Sequence, residues 1–305
     1  MLFEPTWDII VEPEEPVPVS SLEIVLGRGE ENTLATECPE LSQESIDYWN
    51  KQHVEQMLVR APEMSAALDA NDRDKVVRMS RHISGDNRKE RLSKATLVGN
   101  KLYLAITGTK YSDITGTSTQ AIVNSDFRKR LMQAGLDKHA DENFFFANAM
   151  GVCAAVYGAL PGEGFTPVGY RSEKVMIYPN TYHVIGGFPK DISRPIFHQR
   201  QELKQELGLR EEEMGEAFFE GIIRQGASRI PEMIFTIPVY VSQEELHKRW
   251  KADKKGVIPG KYEHRKISYL SIENELPAFL KENGPTMVPA GAAALTKLLE
   301  HYEVK

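Results

Sequence analysis

Three apolar runs constrain this chain most: FFFANAMGVCAAVYGAL at 144–160, EAFFEGIIRQ at 216–225 and EMIFTIPVYVS at 232–242. The first is an apolar run bounded by turn residues and the other two alternate, which predicts strands of one sheet. The first run leads through PGEGFTPVG into a second strand, and EKVMIYPNTYHVIGG (173–187) continues the sheet. A helix at Pro195–Leu207 then interrupts the strands, and Leu276–Glu282 and Ala292–His301 are read as further helices. Strands set around helices in this order predict an α/β sandwich from residue 145 onward.

The preceding residues read as a separate α+β accessory module, giving the division 1–144 and 145–305, which suits a chain of 305 residues. Residues 1–40 are broken by Pro5, Pro13, Pro16 and Pro18 into short strands and loops that pack on a larger sheet. From Ser42 to His82 the spacing is helical. Ile46, Trp49, Val54, Met57 and Leu58 make a core stripe, and DRDKVVRMSRHI repeats the habit after a break at Pro62. KLYLAITGTKYSDITGTSTQAIV (101–123) alternates and then reads as a tight loop, followed by a helix around Asp126–Ala134.

Composition excludes several classes. A net charge of -7 argues against nucleic acid or an anionic membrane as the main partner, with the basic clusters RKER (88–91) and KADKK (251–255) read as solvated faces. Two cysteines, Cys38 and Cys153, make neither a disulfide framework nor a zinc site and suit a reducing compartment. The first residues, acidic and proline-broken, are unlike a signal peptide, and no stretch has the length to span a bilayer, so the expected location is cytoplasmic. No phosphate-loop, nucleophile-elbow, zinc-protease or dinucleotide fingerprint is present.

The chemistry concentrates in YHVIGGFPKDISRPIFHQRQELKQELGL (182–209). Ser193 is the expected N-cap, Pro195 suits the first turn and Gly208 stops the helix. Ile196, Leu203 and Leu207 form its apolar stripe, while His198, Glu202 and Glu206 fall four apart on another face. Two carboxylates at that spacing can hold a hard divalent cation. The same spacing also suits a solvated face on which Glu206 meets Arg210. Gly186 and Gly187 let the backbone turn and approach a ligand closely.

From Gly187 the window resembles the Nudix box: Gly187, Glu202, Leu203, Glu206, Gly208 and Leu209 match in register, while Ser193, Gln201 and Gln205 depart from its charged positions. TKYSDITGT (109–117), NAMGVCAAV (148–156), YRSEKVMIYPNTYHVIGGFP (170–189) and EGIIRQGASRIPEMIF (220–235) occur in the order seen in the Nudix subgroup that cleaves UDP-glucose and UDP-galactose. The resemblance, over residues 85–300, implies a Nudix-type α/β/α sandwich with a mixed sheet. It also implies a magnesium ion, or manganese, on the box helix and hydrolysis of a small nucleotide diphosphate to nucleoside monophosphate and sugar phosphate.

The implied ligands are Glu202 and Glu206, with Gln205 through its uncharged amide oxygen. Glu220 and Glu232 are candidates for a further ligand or the general base, Glu232 being preferred. Arg171, matching the family's arginine after the second strand, is a candidate phosphate clamp or a structural ion pair. Arg229 is the weaker substrate candidate, and Tyr111, Asp113 and Thr117 are read as structural. The altered positions also admit a domain that binds nucleotides as a sensor without turning them over, since Gln201 lacks the charge to brace the glutamates and Arg200 points elsewhere. The base, the sugar and the oligomeric state are not legible.

Overall fold

The computed structural model describes residues 3–69, 88–252 and 263–303. Twelve strands are assigned among them: β1 (Trp7–Val11), β2 (Val17–Pro18), β3 (Glu23–Arg28), β4 (Arg88–Val98), β5 (Lys101–Lys110), β6 (Gly151–Gly158), β7 (Phe165–Arg171), β8 (Tyr182–His183), β9 (Ile185–Gly187), β10 (Phe218–Gln225), β11 (Pro231–Val239) and β12 (His264–Ser271). The central sheet runs β1-β10-β11-β6-β9, with β2 also on β10; β12-β7-β8 and β3-β5-β4 form two smaller sheets. β6 and β11 are parallel and the other central pairs antiparallel. The architecture is therefore mixed α/β, consistent with the expected Nudix-type α/β/α sandwich.

Every residue of β6 is buried, because the strand has a core on each face. Val152, Ala154 and Val156 pack into one cluster with Leu203 and Leu207 of the Pro195–Leu207 helix and Leu246 of the Gln243–Ala252 helix. Cys153, Ala155 and Tyr157 enter the other, with Leu276 and Leu280 of the Leu276–Asn283 helix and Ala292 and Leu295 of the Pro289–Glu303 helix. Alternation along one strand thus supplies both cores, and full burial of each large aliphatic side chain is worth roughly 1.5–3 kcal/mol.

Two compact units divide the chain: residues 1–30, 90–107 and 149–305 in one, and residues 31–89 and 108–148 in the other. This differs from the expected division at 144/145, because β1 and β2 pair with β10 and β3 pairs with β5 inside the first unit. The smaller unit is mainly helical. Its core gathers Leu34, Phe127, Leu131 and Phe144–Phe146. The Ser125–His139 helix there is capped by Asn124, whose side-chain oxygen accepts the Phe127 N–H at 3.0 Å.

Several local expectations change. The helix Pro39–Asp69 runs through Pro62, and Ile46, Val54 and Leu58 of its expected core stripe are exposed. DRDKVVRMSRHI (72–83) lies outside the described residues, as does most of KADKK. The stretch after β5 is helical rather than a tight loop, with Tyr111–Asp113, Ile114–Thr119 and Gln120–Val123 in continuous helical turns. Asp113 there accepts hydrogen bonds from Thr109 Oγ1 and the Lys110 N–H, and Thr117 Oγ1 accepts from the Ala147 N–H. Residues 144–150 precede the strand, and of EKVMIYPNTYHVIGG only 182–183 and 185–187 are strand. In RKER, Arg91 is buried, donating to the Glu30 carbonyl at 2.6 Å, because β4 turns it inward. No helix among the described residues is long and apolar enough to cross a membrane.

Candidate active site

The Pro195–Leu207 helix forms where expected, with Pro195 in its first turn and Gly208 as a left-handed C-cap at φ 71°. Its N-cap is Arg194 rather than Ser193, whose hydroxyl and N–H are taken up by Asp191 Oδ1. The loop before it is held by Glu90, which accepts the Ile192 N–H. Leu203 and Leu207 are fully buried, and Ile196 packs against the same core.

That anchoring turns Glu206 inward as well. Glu206 is buried, Glu202 is half-buried and Gln205 is exposed, so the third expected ligand projects from a different side of the helix. Glu206 meets His264, not Arg210: its Oε2 lies 3.1 Å from His264 Nε2. Glu202 Oε1 lies 3.0 Å from His198 Nε2. Arg200 donates to Glu211 and to the Gly215 carbonyl, so it braces the turn after the helix and not the glutamates.

Sheet pairing delivers the remaining groups. Arg171, at the end of β7, stands opposite His264 at the start of β12, with its guanidinium 4.0 Å from Glu263. Glu232 starts β11 beside Gly151 of β6 and accepts a hydrogen bond from Gln225 Nε2 at the end of β10. His183 of β8 pairs with Gly169 of β7. Glycines make the room: a Cβ at 151 would lie 2.8 Å from Glu232 Cγ, at 169 2.1 Å from His264 Nδ1, and at 291 2.6 Å from His183 Nδ1. At Gly187 a Cβ would lie 3.1 Å from Glu202 Oε1 and 3.5 Å from His198 Nε2.

The electrostatics tie these side chains together. Burial pushes the Glu206 carboxyl well above the ordinary range, the negative charges of Glu263 and Glu202 push it further, and Arg171 pulls the other way. Burial also raises Glu263, against Arg171. Glu232 is pushed up to about 7 by burial, moderated by Gln225 and Arg171. Burial, with Arg171 close by, brings His264 down to about 3 and His183 well below its usual value. His264 is therefore neutral, and its approach to Glu206 is not a salt bridge.

Five buried polar atoms here make no hydrogen bond: Arg171 Nε, His183 Nδ1, His198 Nε2, Glu206 Oε2 and His264 Nδ1. Buried polar atoms are nearly always paired, so these five call for partners from outside the chain, water or ligand. Neighbouring carboxylates with an orphaned oxygen fit a divalent cation, which takes oxygen donors and whose charge offsets their repulsion. No three His, Cys, Asp or Glu side chains among the described residues are gathered so as to hold an ion between them. The donors left to such an ion would be two carboxylates, Glu202 and Glu206.

Arg229 and Glu220 are engaged elsewhere. The Arg229 guanidinium is buried and paired with Asp8 at 2.9 Å. Glu220 accepts from Thr236 Oγ1 at 2.5 Å and lies 3.4 Å from His301. Cys153 is buried with its thiol held well above the usual value, an inert core residue. Sequence reasoning missed His183, Gln225, Glu263 and His264; Gly291 and Gly169, opposite the two histidines, were the available signal.

No family model matches this sequence, and no curated protein matches it. Among solved structures it is similar to the Nudix hydrolase RenU from M. smegmatis, at 10% identity and TM-score 0.34 over 52% of this chain and 88% of that one. It is similar to a C. elegans Ap4A hydrolase at 11% identity and TM-score 0.35, over 51% and 99%. The MutT protein from Methanosarcina mazei Go1 gives 16% identity and TM-score 0.35, over 51% and 95%. The structural neighbours are thus Nudix hydrolases; likeness at this level says nothing of activity, and the residues themselves carry the functional reading.

Proposed function

We propose that this chain hydrolyses a nucleoside diphosphate joined to a second group, a UDP-sugar above all, with a divalent cation, releasing nucleoside monophosphate and sugar phosphate. The observation that carries the proposal is that Glu206, Glu232 and Glu263 all feel the charge of Arg171, with Glu202 beside Glu206, in a glycine-cleared and partly buried site. Glu202 and Glu206 would hold the cation, magnesium or manganese. Bound there, it would neutralise phosphate charge and lower the pKa of a water. Glu232, at about 7, would in this reading take a proton from the attacking water near neutral pH. Arg171 offsets the crowded negative charge and, in this reading, would meet a phosphate oxygen. The UDP-sugar preference rests on the order of the four sequence blocks.

The test is incubation with UDP-glucose, UDP-galactose, ADP-ribose and diadenosine polyphosphates, with and without magnesium, following monophosphate release. Metal-dependent turnover that Glu206→Gln abolishes and the exposed Glu212→Gln preserves is the expected result. A second reading, nucleotide binding without turnover, is favoured by one observation: Gln201 and Gln205 bring no charge and Gln205 is exposed. Micromolar nucleotide binding with no turnover of any substrate would establish it instead.

A further inference from the structure

The turn between β10 and β11 carries a chain of buried polar side chains that cation binding leaves unused. Ser228 Oγ accepts the Ile230 N–H at 3.4 Å and donates to Gln225 Oε1 at 3.1 Å, and Gln225 Nε2 donates to Glu232 Oε2. All three side chains are buried, so bulk water does not compete for these bonds. The backbone fixes the turn that presents them: the Gln225 N–H donates to the Ile230 carbonyl at 2.9 Å and the Arg229 N–H to the Gln225 carbonyl at 3.0 Å, with Arg229 in the left-handed region at φ 58°.

Each link sets the direction of the next. An ionised carboxylate only accepts, so Gln225 must turn its NH2 group toward Glu232. That leaves the Gln225 carbonyl oxygen buried and in need of a donor, which the Ser228 hydroxyl supplies while its own oxygen accepts from Ile230. The two oxygens of Glu232 are therefore unequal. Oε2 ends the chain, whereas Oε1 stands beside Gly151, where a Cβ would come within 3.2 Å of it. Gln225 is the one hydrogen-bond donor to Glu232 among the described residues; Arg171 of β7 acts on it through charge, and the buried Cys153 of β6 stays a neutral thiol.

We propose that Ser228 and Gln225 are positioning residues for Glu232, holding its Oε2 as a hydrogen-bond acceptor so that Glu232 takes up a proton at Oε1, beside the Gly151 clearing. Without Ser228 the Gln225 amide is free to rotate and set its carbonyl oxygen against the carboxylate, which favours the protonated acid and weakens the base. The inference rests on the reading of Glu232 as the proton acceptor and adds the groups that orient it and the oxygen it uses.

The experiment is titration of the glutamate carboxyl carbons by NMR in the full-length, carbon-13-labelled protein with chelator present, the Glu232 signal being identified by its loss in Glu232→Gln. Alongside it, the pH dependence of kcat and KM is measured for UDP-glucose with magnesium. Gln225→Leu removes the donor to the charged form and is expected to raise the Glu232 midpoint by about one pH unit, and Ser228→Ala by about half of that. The acid limb of kcat should move by the same amounts while KM changes less than about twofold. Equal midpoints in wild type and Ser228→Ala overturn the proposal whatever the rates, because Ser228 acts on Glu232 through Gln225. Wild-type turnover with an acid limb that stays put in Gln225→Leu also overturns it. Shifted midpoints with no turnover of any nucleotide would uphold the orientation of Glu232 and remove the hydrolase reading.

Discussion

Glu232→Gln offers a direct measure of how the site is built. Glu232 is buried at the start of β11, tight against Gly151, with Gln225 as its hydrogen-bond donor, and its pKa rises from 4.5 to about 7. At about 1.4 kcal/mol per pKa unit, ionising it in the folded protein costs about 3 kcal/mol more than in the unfolded chain. The sign follows from proton occupancy. Below pH 4.5 both states hold the proton and the cost is nil. Between 4.5 and about 7 only the folded state holds it, so stability falls as pH rises, and above 7 the full cost remains. Glutamine cannot ionise, so the variant escapes that fall. Urea denaturation of both proteins with chelator present, at about pH 4 and about pH 8, should show the stability difference moving toward Glu232→Gln by about 3 kcal/mol. Any constant effect of the amide cancels between the two pH values. A difference that stays flat with pH would mean that Glu232 ionises as an exposed carboxylate does, and its assignment as the base would lose its foundation.

Three further perturbations separate site from scaffold. Gly187→Ala places a methyl 3.1 Å from Glu202 Oε1 at ordinary backbone torsions, so calorimetry should show weakened cation binding with little change in melting temperature. Leu203→Ala empties a fully buried position between the helix and the central sheet and should cost about 2–5 kcal/mol in urea unfolding. Arg229→Ala should lower stability by about 1 kcal/mol, its partner Asp8 being largely solvated, and leave kcat/KM unchanged; a raised KM would restore Arg229 to the substrate site.

The local grammar of the chain was enough to place the helix that matters. Pro195 and Gly208 set its limits through torsions that neighbours hardly influence, and the four-residue spacing of Glu202 and Glu206 put them on one face. Apolar runs likewise marked β6, β10 and β11, although the burial of every residue of β6 and β11 shows both faces covered where alternation is read into β11. What local spacing leaves open is depth. Gln205 and Glu206 are adjacent and equally plausible ligands by residue type, yet the docking of Leu203 and Leu207 buries one and exposes the other. The helix starts one residue later than Ser193, whose N–H and hydroxyl both donate to Asp191, and Ile46, Val54 and Leu58 repeat at helical spacing on a surface that stays exposed.

The chemistry was still less legible, since Arg171, Glu232, Glu263 and His264 come from strand ends far apart in the chain. Only the registers of β7 with β12 and of β11 with β6 bring them to the helix. Their shifted protonation follows from that meeting, because desolvation and mutual charge act over distances in space that the chain does not record. Local spacing was enough for β6, β10, β11, the helix and its pair of acids; packing chose which acid is buried, which histidine it faces and which arginine offsets the charge.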